Sequence, residues 1–310
     1  MEKFIFASIK ILFWILIGKF INILLSKTNY VNPTKIYLWF STFVVYILTP
    51  FFICIKIWQY SINKEIFIGV TTSYFVVILV SYIISKFLVN KQNLVFKEVF
   101  FTLSFMNTLY LGIPVTVYFV SPEVVNYTII YSIIVTLIQF TLGIYLLTPS
   151  LKFFKFLVSS PIIYTAVLGY ILRINGISIP EPIMLFNNFL SKIISPLMLI
   201  FIGYNFKLNN VFINIRVHIF TNITRMIILF IITTCFLILL HKFIPFQKEF
   251  IKVLILISIL PSAIMNYILL DNFKFDTRFV LGEIFWGTII SIFLLPYISE
   301  ILELILLALI

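Results

Sequence analysis

Ten long apolar stretches follow one another along this chain, separated only by short polar connectors. The first five span residues 4–25, 35–57, 66–89, 97–120 and 124–147, and the second five 161–177, 183–206, 217–240, 249–271 and 279–299. Each approaches the roughly 20 residues that a helix needs to cross the hydrocarbon of a bilayer. Composition agrees: 62% of the 310 residues are hydrophobic and only 11% are charged, against an apolar share of about 45–50% in soluble domains. So few charges cannot clothe a water-facing surface, so the excess apolar surface faces lipid. The expected fold is an all-α integral membrane protein of about ten transmembrane helices, with no length left for a soluble domain. The first stretch opens directly after Met1, Glu2 and Lys3 with no small-residue cleavage pattern, and reads as a retained helix.

A net charge of +11 raises the question of nucleic acid. The lysines, however, punctuate the ends of apolar runs, where they meet anionic lipid headgroups. No basic face interleaved with stacking aromatics is present, so nucleic acid is not an expected partner and membrane lipid is. The side holding Lys27, Lys91, Lys152 and Lys207 carries more Lys and Arg than the side holding Lys64, Arg173 and Lys242. That bias puts the first side in the cytoplasm and both termini outside, in the plasma membrane. Cys54 and Cys235 lie in separate apolar runs and read as small buried hydrophobes.

The prolines suggest a repeat. Pro33 and Pro180, Pro114 and Pro261, and Pro149 and Pro296 are each 147 residues apart, and Pro50 and Pro196 are 146 apart. Residues 1–150 and 151–310 would then be two five-helix repeats. Five is odd, so the second enters the membrane from the opposite side, the inverted-repeat plan of many secondary transporters.

Two matched segments carry the candidate site. The fourth reads Phe105-Met106-Asn107-Thr108-Leu109-Tyr110-Leu111-Gly112-Ile113-Pro114, and the ninth Ile259-Leu260-Pro261-Ser262-Ala263-Ile264-Met265-Asn266. Proline removes a helical hydrogen bond and clashes with the preceding turn, and Gly112 beside Pro114 is expected to let the backbone unwind. Broken backbone at membrane depth survives only against protein or a wet cavity. Two broken helices crossing there would aim half-helix N-termini, with their free N–H groups, at an anion such as a carboxylate. Asn107 and Asn266 add amide donors and acceptors. The expected substrate-binding residues are therefore Asn107, Gly112, Pro114, Pro261 and Asn266.

The run from Asn107 to Pro114 resembles the fourth-helix signature of the auxin efflux carrier family. Ile194-Ser195-Pro196-Leu197-Met198-Leu199-Ile200-Phe201-Ile202-Gly203 resembles its seventh helix, and Pro261 followed by small residues resembles its ninth-helix break. The likeness runs in order and spacing along the whole chain, without the long central loop of the plant members. It implies two inverted five-helix repeats with helices 4 and 9 crossing at prolines, and a small organic anion, an auxin-like weak acid or a malonate-type dicarboxylate, bound at the crossing. It also implies that helices 1, 2, 6 and 7 form a scaffold, able to pair in a homodimer, against which the remainder moves as an elevator.

Ionisable residues within the spans are the remaining candidates. Glu283, early in the tenth stretch, is a candidate carrier of a coupling proton, against an ordinary interfacial carboxylate. Lys10, Lys19, Lys192 and Arg225 read as side chains that snorkel to headgroups. Asp271 and Asp276 are too sparse a pair for a metal site, and no metal or other cofactor is expected. Neither His218 nor His241 stands in an H-E-x-x-H pattern, and no P-loop is present. A secondary carrier, not an enzyme, is the expected function. The rival reading is a passive channel or a non-transporting membrane subunit.

Overall fold

The computed structural model describes residues 2–26, 33–60, 63–92, 94–148, 154, 158–205 and 214–309. Within these residues the apolar stretches drawn above are mainly helical, with the fourth and the ninth each interrupted. In chain order the helices are α1 (Glu2–Ser26), α2 (Pro33–Phe43), α3 (Thr49–Gln59), α4 (Lys64–Gln92), α5 (Phe96–Ser104), α6 (Gly112–Phe119), α7 (Val125–Ile138) and α8 (Ile144–Leu147). They continue with α9 (Pro161–Ile174), α10 (Glu181–Asn205), α11 (Ile215–His241), α12 (Lys248–Ser258), α13 (Ile264–Asn272) and α14 (Arg278–Leu309). Among the described residues the only β pairing is one isolated bridge.

Four helical spans, Lys64–Asn90, Pro122–Leu147, Ile215–His241 and Arg278–Ala308, are long and apolar enough by themselves to cross a membrane, and Phe13–Leu25, Val44–Gln59 and Pro161–Ile174 are shorter apolar helices. Their outer faces carry large exposed apolar side chains: Leu16 and Phe20 on α1, Phe75 and Ile83 on α4, Phe293 and Leu304 on α14. A surface of this kind is stable only against lipid, so the chain is an all-α integral membrane protein.

Proline does not act uniformly. Between α2 and α3 the chain makes a π turn, Val44–Leu48, immediately before Pro50. Widening that turn accommodates the missing N–H and the ring without ending the helix. Pro196 and Pro296 lie inside α10 and α14, which also run on. The last helix continues beyond the tenth apolar stretch to Leu309. No breaker interrupts it, and Lys252 of α12 pairs with Glu303 to hold the extension.

The helices gather into two compact units. One contains most of α1 with α2, α3, α8, α9 and α10; the other contains α4, α5, α6, most of α7, and α11 to α14. Each unit thus draws helices from both halves of the sequence. In the first unit the packing is backbone against backbone. A Cβ on Gly18 would lie 1.9 Å from the carbonyl oxygen of Ile200, and one on Gly203 would lie 1.8 Å from that of Ile15. These reciprocal glycines bring α1 and α10 together, as small residues do where lipid removes the hydrophobic drive for helix association. Gly169 of α9 meets the Cys54 carbonyl of α3 in the same way, and the Trp58 indole N–H donates to the Ile177 carbonyl at 2.6 Å.

In the second unit, α12 is buried on nearly every side, with Val253, Leu254, Ile255 and Leu256 fully enclosed. A short helix buried all round cannot leave its ends unsatisfied. How those ends are satisfied defines the site.

Candidate functional site

Both matched segments are broken, and the breaks are paired with each other. The fourth opens between α5 and α6 and the ninth between α12 and α13. Phe105 (φ −110°, ψ 104°) and Ala263 (φ −71°, ψ 144°) take up extended backbone. Met106 and Ser262 form the antiparallel bridge. The Asn107 N–H donates to the Pro261 carbonyl at 2.8 Å, and the Ala263 N–H donates to the Phe105 carbonyl at 2.9 Å. Each break thus supplies the partner that the other lacks, which is how irregular backbone persists in a buried place.

The pairing corrects two expectations. Pro261 lies in its break and takes part in it, but Pro114 is the third residue of α6, beyond the gap. The two prolines are therefore not equivalent in the structure despite their spacing, and the crossing is at Met106 and Ser262. Gly112 does not unwind the backbone either. It opens α6, its N–H donating to the Asn107 carbonyl at 3.1 Å.

The carbonyls from Thr102 to Phe105, at the end of α5, are all taken up. Thr102 and Phe105 accept from Asn266 Nδ2 at 3.3 and 2.7 Å. Leu103 accepts from Ser81 Oγ at 2.8 Å and Arg225 Nε at 3.1 Å. Ser104 accepts from the Tyr74 hydroxyl at 3.2 Å. Arg225 reaches the other break as well, donating from Nη1 to the Leu260 carbonyl at 2.8 Å. A buried guanidinium, 2% exposed, thus sits where two half-helix C-termini concentrate partial negative charge, the position where a cation is favoured. Arg225 does not snorkel, because these carbonyls give it better partners than a headgroup. Lys192, by contrast, is exposed on α10, in keeping with the surface reading. The side chain of Lys10 lies outside the described residues.

The N-terminal ends differ from one another. In α6 the Gly112 and Ile113 N–H groups already have partners and Pro114 has none to offer. In α13 the N–H groups of Ile264 and Met265 have no partner among the described residues, and no side chain caps the helix. Asn107, 5% exposed, makes no side-chain hydrogen bond among the described residues. Asn266, fully buried, commits its Nδ2 to Thr102, Phe105 and also Ser262 Oγ at 2.9 Å. Its evident work is to tie the two breaks together.

A polar stripe on α11 leads into this region. His218, Asn222 and Arg225 recur at helical spacing and are all buried. His218 Nδ1 lies 2.8 Å from Glu283 Oε1 of α14, and Asn222 Nδ2 donates to Glu283 Oε2 at 2.8 Å. Glu283 is 1% exposed and not interfacial. The close fit depends on two glycines of α14. A Cβ on Gly282 would lie 2.2 Å from His218 Nε2, and one on Gly287 would lie 2.4 Å from Asn222 Oδ1 and 2.7 Å from Pro261 Cβ. The sequence weighs His218 only as a metal ligand and gives no role to Asn222; the signal for this cluster is their spacing on one face of an otherwise apolar helix. Asp276, near Asp271, pairs instead with Arg278, whose guanidinium holds its carboxyl below the usual carboxylate range. No cluster of three metal-ligating side chains occurs among the described residues.

Residues 150–299 match the family model described as membrane transport protein. The match spans just under half of the chain and supports its reading as a membrane transport protein of the auxin efflux carrier type. Among curated proteins, none matches the sequence.

Proposed function

We propose that the chain is a secondary carrier of small organic anions, carboxylates or auxin-like weak acids, bound where the two breaks meet. The observation that carries this reading is the open start of α13, whose Ile264 and Met265 N–H groups have no partner among the described residues, close in sequence to Pro261, on which the Asn107 backbone is held. Such a helix start favours negative charge, and the Asn107 amide is a neutral donor beside it. Pro261 and Asn266 hold the two breaks together, and Gly112 and Pro114 line the start of α6 beside them. Two inverted repeats, and an elevator movement of the unit that contains the breaks, complete the proposal. The division of helices supports it: α2, α3, α9, α10 and most of α1 share one unit, as the scaffold of the resembled family would. The plasma membrane, outside termini and a homodimer through that scaffold are part of the same reading.

The test is uptake of labelled carboxylates into proteoliposomes under an imposed proton gradient, for wild type and Asn107→Ala. Accumulation of one acid, lost in a variant that still inserts, is the expected result. Flux that never accumulates would indicate a channel, and no flux of any acid would indicate a non-transporting subunit; either sinks the carrier.

A further inference from the structure

Three ionisable side chains are gathered in the polar stripe and its partner: Arg225, His218 and Glu283, all at or below 3% exposure. Their charges can be counted. With Arg225 cationic, Glu283 anionic and His218 neutral, the cluster balances. One more proton leaves it with a net charge of +1 on side chains buried from bulk solvent. A buried net charge is strongly disfavoured unless an opposite charge arrives with it. Imidazole is the side chain that commonly changes charge between about pH 5 and 8.

The cluster is wired to the breaks. Asn222 Nδ2 bridges the Glu283 carboxylate and the His218 carbonyl, at 2.8 and 2.9 Å. Arg225, one turn further along α11, holds the Leu103 and Leu260 carbonyls at the two half-helix ends. Leu260 is four residues from Ile264, where the open helix start lies. The other ionisable groups around the cluster are accounted for. Tyr74 of α4 and Tyr131 of α7 are buried near Arg225. Arg216 on α11 and Lys64, Glu65 and Lys86 on α4 are exposed. On α12 and α14, Lys252 is paired with Glu303 and Arg278 with Asp276, and Glu249 and Glu300 are exposed, with Lys248 half-buried. Glu98, at the start of α5, accepts the Asp276 N–H.

We propose that the His218–Glu283 pair takes up one proton with each anion, so that the chain is a proton–anion symporter in which the pair's proton and the anion's charge cancel. The proposal rests on the reading of the breaks as an anion site and adds the coupling ion and its acceptor. The proton comes from solvent and is held by the pair as a unit, Nδ1 of His218 keeping its contact with Glu283 Oε1 throughout. By linkage, proton uptake tightens the anion and the anion tightens the proton by the same factor. For a monoanion the cycle carries no net charge.

The experiment is calorimetric titration of the purified full chain in detergent with indole-3-acetate and with malonate, in two buffers of different ionisation enthalpy, across pH 5 to 8. The difference between buffers counts the protons taken up. Uptake rising towards one proton per anion is expected in wild type, and binding without proton uptake in His218→Gln, which keeps a hydrogen-bond donor but cannot take the charge. Binding with no proton uptake in wild type at any pH overturns the coupling, as does undiminished uptake in H218Q. The wild-type count decides alone if H218Q does not fold. If neither acid binds, the anion site itself fails, and the coupling falls with it. In proteoliposomes, indole-3-acetate accumulation should follow an imposed pH gradient and ignore a potassium diffusion potential. A response to the potential alone contradicts the symport.

Discussion

Arg225→Met removes the side chain that donates to both the Leu103 and the Leu260 carbonyls, and the cost can be worked from the contacts. The Leu260 carbonyl has no other hydrogen-bond partner among the described residues. Orphaning a buried acceptor costs about 1–3 kcal/mol. The Leu103 carbonyl keeps Ser81 Oγ, so its loss is nearer the average interhelical hydrogen bond in membranes, about 0.6 kcal/mol. Methionine is apolar and flexible enough to fill most of the space, so little is added for a cavity. For the two carbonyls alone the sum is about 2–4 kcal/mol, or roughly a 30- to 1,000-fold shift in the folding equilibrium, and the loss of the cation that balances Glu283 adds to it. Equilibrium unfolding in mixed detergent micelles measures it. The sharper test is the double variant. Ser81→Ala alone should be mild, because Arg225 still holds Leu103. In the Arg225→Met background it orphans that carbonyl, so the combined loss should exceed the sum of the two single losses. An Arg225→Met protein as stable as wild type, or strictly additive losses, would refute the bridging role.

Gly203→Ala should separate α1 from α10, since the new Cβ would stand 1.8 Å from the Ile15 carbonyl oxygen. The expected loss is about 1–3 kcal/mol or more, seen as a lower unfolding temperature in detergent. Pro114→Ala should leave the break in place, because none of the hydrogen bonds between the two breaks involves Pro114. Its uptake in proteoliposomes should fall far less than that of Asn107→Ala.

The apolar stretches were legible as helices because each is a local property. Length and hydropathy decide whether a segment can face lipid, and neither depends on distant residues. The breaks were legible only in outline. Prolines marked the right segments but not the right residues: Pro50, Pro196 and Pro296 stand in helices that run on, and Pro114 stands past its gap. Whether a helix stays open depends on what satisfies the freed carbonyls, and those partners are remote. Arg225 is 122 residues from Leu103, and Asn266 is 161 from Phe105. No local pattern encodes such a meeting.

The stripe on α11 shows where a different reading of the same letters would have gone further. Taken singly, Arg225 near a helix end looks like a snorkelling side chain, and His218 like an isolated imidazole. Taken together, His218, Asn222 and Arg225 stand at i, i+4 and i+7, which places all three on one face of a helix. One face of an otherwise apolar membrane helix that carries a cation, an amide and an imidazole cannot be left to lipid, so it must turn inward and find partners. Glu283 with its flanking Gly282, and Gly287 a turn later, is the complementary surface: a carboxylate between positions where the absence of a side chain lets another helix come close. The ionic core of this protein was therefore implicit in the spacing of six residues on two helices. What the spacing alone could not give is the direction of the guanidinium, which only the open ends of α5 and α12 determine.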